Sequence, residues 1–152
     1  MNEILVSGNV AGVPAIVSVP RTSEFIVAWL DGGSVEIKAA RFRSDGTKIG
    51  NDIQVNTPNQ TIVGMPVMGR ILDFSSPGFV VGWIARHNVF VQRFDHGGSK
   101  IGSPIQVNTN GVAGEETVPG IAGLFGGNFV VTWGESLRGI RAQIFGSGGR
   151  KI

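Results

Sequence analysis

Phe79-Val80-Val81-Gly82-Trp83 is one of three near-copies of an apolar pentapeptide. The others are Phe25-Ile26-Val27-Ala28-Trp29 and Phe129-Val130-Val131-Thr132-Trp133. A recurrence every roughly fifty residues marks a repeat architecture, in which each repeat is one supersecondary unit. Further blocks recur in phase with it. Arg41-Phe42, Arg93-Phe94 and Ile144-Phe145 follow each Trp, then come Gly46, Gly98 and Gly149, then Lys48-Ile49, Lys100-Ile101 and Lys151-Ile152. Ile53-Gln54-Val55-Asn56-Thr57 is matched by Ile105-Gln106-Val107-Asn108-Thr109, with a degenerate version at Ile4-Leu5-Val6-Ser7. The units read as 4–52, 53–104 and 105–152, in phase and without capping repeats, within one repeat domain spanning 1–152.

Each unit predicts four short strands. The first is the Ile-Gln-Val-Asn-Thr block, in which apolar residues alternate at period two. A second follows Pro14, Pro66 or Pro119. The pentapeptide is the third, β-branched and aromatic, and apolar enough to be buried on both faces. The fourth runs into the Phe of Arg41-Phe42, Arg93-Phe94 or Ile144-Phe145. Turn signals such as Asp31-Gly32-Gly33, Ser76-Pro77-Gly78 and Gly126-Gly127-Asn128 separate them. No window carries a sustained apolar 3.6 period, so an all-β chain without helix is expected. The 24 glycines fall at turns rather than in a low-complexity tract.

The run from Phe79 to Thr109, Phe-Val-Val-x-Trp … Gln-Arg-Phe-Asp-x-x-Gly-x-x-Ile-Gly-x-x-Ile-Gln-Val-Asn-Thr, resembles repeats of large secreted bacterial proteins, the RTX-type adhesins and haemolysin-like calcium-binding proteins. The resemblance spans essentially the whole chain, one repeat per unit. It implies four-stranded β-propeller blades and an extracellular or cell-surface setting. Many relatives carry an Asp- and Gly-rich insert after the Trp, where this chain has only Leu30–Ser34, Ile84–Asn88 and Gly134–Arg138. Each of these loops holds at most one carboxylate, against the six to eight oxygens calcium takes. No metal or cofactor is therefore expected.

Three blades are too few for a ring, since propellers typically have four to eight. The expected solution is a head-to-tail homodimer that completes a six-bladed propeller. The alternative is a β-trefoil monomer, which also has three units of four strands.

Phe25, Trp29, Phe42, Phe79, Trp83, Phe94, Phe129, Trp133 and Phe145 stand at matched positions in all three units and read as core. Function on a repeating scaffold is sought where the units differ, in the loops after each Trp. The candidate ligand residues are Asp31; Arg86, His87 and Asn88; Glu135 and Arg138. Their planar polar groups suit hydroxyl or carboxylate recognition, and an ordinary solvated hairpin tip is the competing reading. The two histidines, His87 and His96, lack a zinc-ligand spacing. No nucleophile elbow, phosphate-cradling loop or recurring carboxylate pair is present, so the chain reads as non-enzymatic. The 13 Lys and Arg residues are scattered and the formal net charge is only +2, which argues against nucleic acid. The first residues lack a basic start followed by an apolar core, so no signal peptide is read here, and no apolar stretch predicts membrane insertion. Two functions remain. One is a binding module, lectin-like, recognising glycans or cell-surface ligands. The other is a structural or protein-interaction repeat of an adhesin with no small ligand.

Overall fold

A computed structural model describes residues 3–73, 75–109, 118–135 and 138–152. The first sheet comprises β1 (Val10–Ser18), β2 (Glu24–Asp31), β3 (Glu36–Arg43) and β4 (Lys48–Gln54). The second comprises β5 (Val67–Ile71), β6 (Gly78–Ala85), β7 (Asn88–Asp95) and β8 (Lys100–Gln106). The third holds β9 (Gly120–Gly123), β10 (Phe129–Glu135) and β11 (Gly139–Phe145). Every sheet is an antiparallel meander in chain order, and none closes on itself. Among the described residues there is no helix.

Two expectations need correction. The repeat was read with Ile-Gln-Val-Asn-Thr opening each unit, but Ile53-Gln54 and Ile105-Gln106 end the outermost strands β4 and β8 of the preceding sheets. Strand formation continues from Lys48 and Lys100 without a break, because a register shift opposite Ala39–Arg41 and Val91–Arg93 absorbs the extra residues. The third unit was also expected to have four strands. Its sheet has three, followed by a single bridge from Phe145 to Lys151. The trefoil alternative loses support as well, because three separate open sheets do not make the closed barrel that fold requires.

The sheets stack in a row, and side-chain alternation along the pentapeptide strand explains why. Successive residues point to opposite faces. Ile26, Ala28 and Leu30 of β2, with Ile37 and Ala39 of β3, pack against Phe79, Val81, Trp83 and Phe94 of the second sheet. The opposite face of the second sheet, with Val80, Ile84, Val89 and Val91, packs against Phe129, Val131, Trp133 and Phe145 of the third. All of β6 is consequently buried. The aromatic face of sheet one, Val27, Trp29, Ala40 and Phe42, is covered instead by Val6 and by Phe25, which is only partly buried.

Each sheet carries one stacked Phe pair across its second and third strands. Ring centroids lie 5.3 Å apart for Phe25–Phe42, 4.8 Å for Phe79–Phe94 and 4.9 Å for Phe129–Phe145. Such pairs contribute about 0.5–1.5 kcal/mol beyond area burial. Arginine ties one sheet to the next. Arg41 Nη1 donates to Gly97 O of the second sheet at 2.8 Å, and Arg93 Nη2 donates to Ser147 O beyond the third. The two arginines thus make the same kind of sheet-to-sheet contact, and Arg41 also pairs with Glu24 of its own sheet at 2.7 Å. Ile144 holds the matching place in sheet three and is exposed.

Candidate functional site

The hairpins between the second and third strands place Asp31, Arg86 to Asn88, and Glu135 with Arg138 at one end of each sheet. Two of the three loops use their carboxylates internally. Asp31 is buried, and its Oδ1 accepts from Gly33 N–H at 3.0 Å, Ser34 N–H at 2.9 Å and Ser34 Oγ at 3.1 Å. Its Oδ2 takes Lys38 Nζ at 2.9 Å. Glu135 accepts from Trp133 Nε1 and from Arg141 Nε, both at 3.3 Å. Asp31 thus builds its own turn, and Glu135 anchors its own tryptophan. Arg138 is exposed and fastens the third hairpin through its N–H to Glu135 O at 3.0 Å.

The Lys38 ammonium, followed by the Ser34 amide, holds the Asp31 carboxyl well below its ordinary value. The same pairing raises Lys38. A carboxyl depressed in the fold stabilises above its unfolded value of about 3.9, and this support is lost as pH falls below that. Asp31→Asn is therefore expected to melt below the parent by a constant margin from about pH 7 to pH 5. The margin should shrink as the pH drops under about 3.9, where the parent begins to lose the same support. Thermal melts across that range check it.

The second loop differs in a systematic way. Across the hairpin from each Trp stands residue 38, 90 or 141. Sheets one and three place a cation there, paired with the loop carboxylate: Lys38 with Asp31 and Arg141 with Glu135. Sheet two has Phe90 in the cation's place and Ala85 in the carboxylate's. Phe90 stacks on Trp83 with centroids 5.9 Å apart, and Trp83 Nε1 donates to Gln60 Oε1 at 3.2 Å. The result is a cleft of about 210 Å3 lined by Asn59, Gln60, Thr61, Arg86, Asn88 and Phe90.

Two of the predicted residues, Arg86 and Asn88, line this cleft. His87 is exposed at the hairpin tip beside them, with its carbonyl accepting from Asn108 Nδ2 at 3.1 Å. Gln60, Thr61 and Phe90 were not anticipated. The first two lie in the connection between sheets, and Phe90 stands out only when the three units are aligned residue by residue. Arg86 sits at φ 54°, in the left-handed region that costs a bulky residue. Its N–H donates to Thr61 O at 2.9 Å, which ties the hairpin to the linker. Asn88 Oδ1 accepts from Gln106 Nε2 at 3.1 Å and leaves its own amide N–H groups for the cleft rim.

Chemically, the cleft pairs a partly exposed aromatic ring with amide and guanidinium donors. Among the described residues no three His, Cys, Asp or Glu side chains converge as a metal ion would need. No protein-family model, curated protein or solved structure matches this chain.

Proposed function

We propose that the chain is a non-enzymatic, lectin-like binding module made of β-propeller blades, which completes a six-bladed ring as a homodimer and binds one glycan residue per chain in the Phe90 cleft. The observation that carries the ligand reading is the exchange of an ion pair for Ala85 and Phe90 in the second sheet alone. A sugar ring has an apolar C–H face for an aromatic platform and hydroxyls for Arg86, Asn88 and Gln60. The ring reading draws on the face-to-face stack, in which each junction joins the aromatic face of one sheet to the aliphatic face of its neighbour. With one cleft per chain, a dimer presents two, so weak single-site binding gains from avidity.

A glycan array with the wild type and Arg86→Gly tests this. Glycine accepts the left-handed φ at no cost, so the variant's melting temperature should match or exceed the parent's. Loss of a charged hydrogen bond of about 1.5–3 kcal/mol should weaken binding roughly tenfold to hundredfold. No array hit for the parent, or equal binding by the variant, overturns the glycan assignment.

A second reading, a protein-interaction repeat without a small ligand, is favoured by one other feature. The first strands of the three sheets line an open apolar groove of about 560 Å3 that includes Val13, Ile16, Met65, Met68, Val118 and Ile121. Val13, Ile16 and Val118 are exposed there, and contiguous apolar surface of this kind marks interaction sites. A melting temperature unmoved by a panel of sugars, metals and metabolites would favour this reading, because ligands that bind the native state raise it.

A further inference from the structure

We infer that Ile4-Leu5-Val6-Ser7 of one chain forms the outermost strand of a second copy's third sheet. The inference rests on the homodimer proposed above and gives it an atomic register.

Sheet three has an uncovered edge. Where β4 and β8 cover the third strands of their sheets, Ile37 and Val89 are 0% exposed; the matching Ile140 of β11 is 79% exposed. A fourth strand nevertheless begins in register. Phe145 bridges Lys151 just as Phe42 faces Lys48 and Phe94 faces Lys100. Ile152 N–H donates to Ile144 O at 3.0 Å. The position opposite Ala142 is then the one held by Ile53 opposite Ala39 and by Ile105 opposite Val91.

The segment at residues 4–7 is the reverse case, chain that belongs to no sheet. It lies on sheet one as the end of β4 lies on sheet two. Ile4 Cγ2 stands 2.7 Å from where a Cβ on Gly46 would be, Ile53 Cδ1 stands 2.6 Å from that point at Gly98, and Ile105 Cδ1 stands 3.0 Å from it at Gly149. Val6 packs with Trp29 and Phe42, as Val55 clusters with Trp83 and Phe94 and Val107 with Trp133 and Phe145. That junction also holds an unmet donor. Trp29 Nε1 is buried without a hydrogen-bond partner, whereas its counterparts in Trp83 and Trp133 are satisfied.

The register follows from the two complete sheets. Ile4 faces Ala142 and Leu5 faces Arg141. Val6 N–H donates to Ile140 O, as Val55 donates to Ile37 O and Val107 to Val89 O. The Ser7 hydroxyl takes the Ile140 N–H, as Asn56 and Asn108 take those of Ile37 and Val89. A main-chain ladder of this kind is β-strand addition to an open edge. Its two-fold repetition closes both junctions of a ring at once.

The chain has no cysteine, so introduced pairs report cleanly. Leu5 and Arg141 correspond to the facing pairs Gln54–Lys38 and Gln106–Phe90, flanked by the hydrogen-bonded 55–37 and 107–89 positions. They form a non-hydrogen-bonded pair, whose Cα atoms lie about 4.5 Å apart, within disulfide reach. Oxidation of Leu5→Cys/Arg141→Cys with diamide should give a reducible species of twice the 16.0 kDa chain mass. The register control Val6→Cys/Arg141→Cys should not. Ile4→Cys/Ala142→Cys reads the same register from the other face if the first pair disturbs folding. Light scattering on the unsubstituted chain runs alongside. A dimeric mass without cross-linking by either pair overturns strand donation and leaves the ring standing. A cross-link within single chains overturns both, because the chain then seals on itself. A monomeric mass likewise removes both.

Discussion

Trp83→Ala should destabilise the chain by about 3–5 kcal/mol, the range for deleting a large aromatic side chain from a core. Trp83 is fully buried, and it stands where the second sheet meets the first, among Leu30, Ile37, Ala39, Val55 and Phe94. Its truncation opens a void that neither sheet can fill without shifting against its partner. It also strands Gln60 Oε1, which accepts the indole N–H, and it removes the ring on which Phe90 stacks. At about 2–4 °C per kcal/mol for a chain of this size, the melting temperature should fall by roughly 6–20 °C. Differential scanning calorimetry reads it directly. Trp133→Ala, at the next junction, is the comparison: a similar loss there shows that the junctions are energetically alike, whereas a loss under about 1 kcal/mol in Trp83→Ala contradicts the packing described.

Asn108→Ala should cost about 1–3 kcal/mol although it deletes only a small polar side chain. Asn108 is buried just past the end of β8. Its Oδ1 accepts from Val89 N–H at 3.0 Å, and its Nδ2 donates to His87 O at 3.1 Å. Asn56 does the same for Ile37 N–H at 2.8 Å, with Nδ2 on Thr57 O at 2.9 Å. Each asparagine latches the outermost strand to the start of the third strand, next to the hairpin after the Trp. Alanine leaves the Val89 amide buried without an acceptor, while Asn108→Asp keeps the acceptor and should recover part of the loss. Urea melts of the two variants against the parent check this ranking. In sheet two the latch also holds the hairpin carrying Arg86 and Asn88, so binding in the proposed glycan cleft should fall along with stability.

Sequence reading reached the scaffold because the repeat states it three times. The pentapeptide marks an inner strand whose β-branched and aromatic residues foretell burial on both faces; this holds for all of β6, whereas Val130 and Thr132 of β10 are only partly buried. It misjudged the phase. Ile53-Gln54-Val55-Asn56-Thr57 reads as a strand in either unit, and only the ladder to β3 decides which sheet owns it. The role of Asn56 is beyond a one-dimensional reading for the same reason. A local Asx-turn and a bond to a residue nineteen positions back look alike in one dimension. For the site, the hairpins after each Trp supply Arg86 and Asn88 to the Phe90 cleft, but a charge read from the sequence does not say what it pairs with. Asp31 and Glu135 are spent on Lys38 and Arg141, which stand opposite Trp29 and Trp133 on the facing strand. The informative signal at the cleft was a missing charge, Phe90 and Ala85 where the other units have an ion pair. Gln60 had no periodic neighbour to flag it, because it lies in a connection rather than in a repeating strand.

The two faces of each sheet differ in kind, one bearing Phe, Val and Trp and the other mainly aliphatic, and every junction joins unlike faces. The row is therefore a polar polymer in miniature, with a head and a tail. Shortening it from the front would bare a wall of indole and phenyl rings, and shortening it from the back a plainer aliphatic wall. Copies could be added or deleted by gene duplication without inventing a new seam, since each fresh unit arrives with the mate for the one before it.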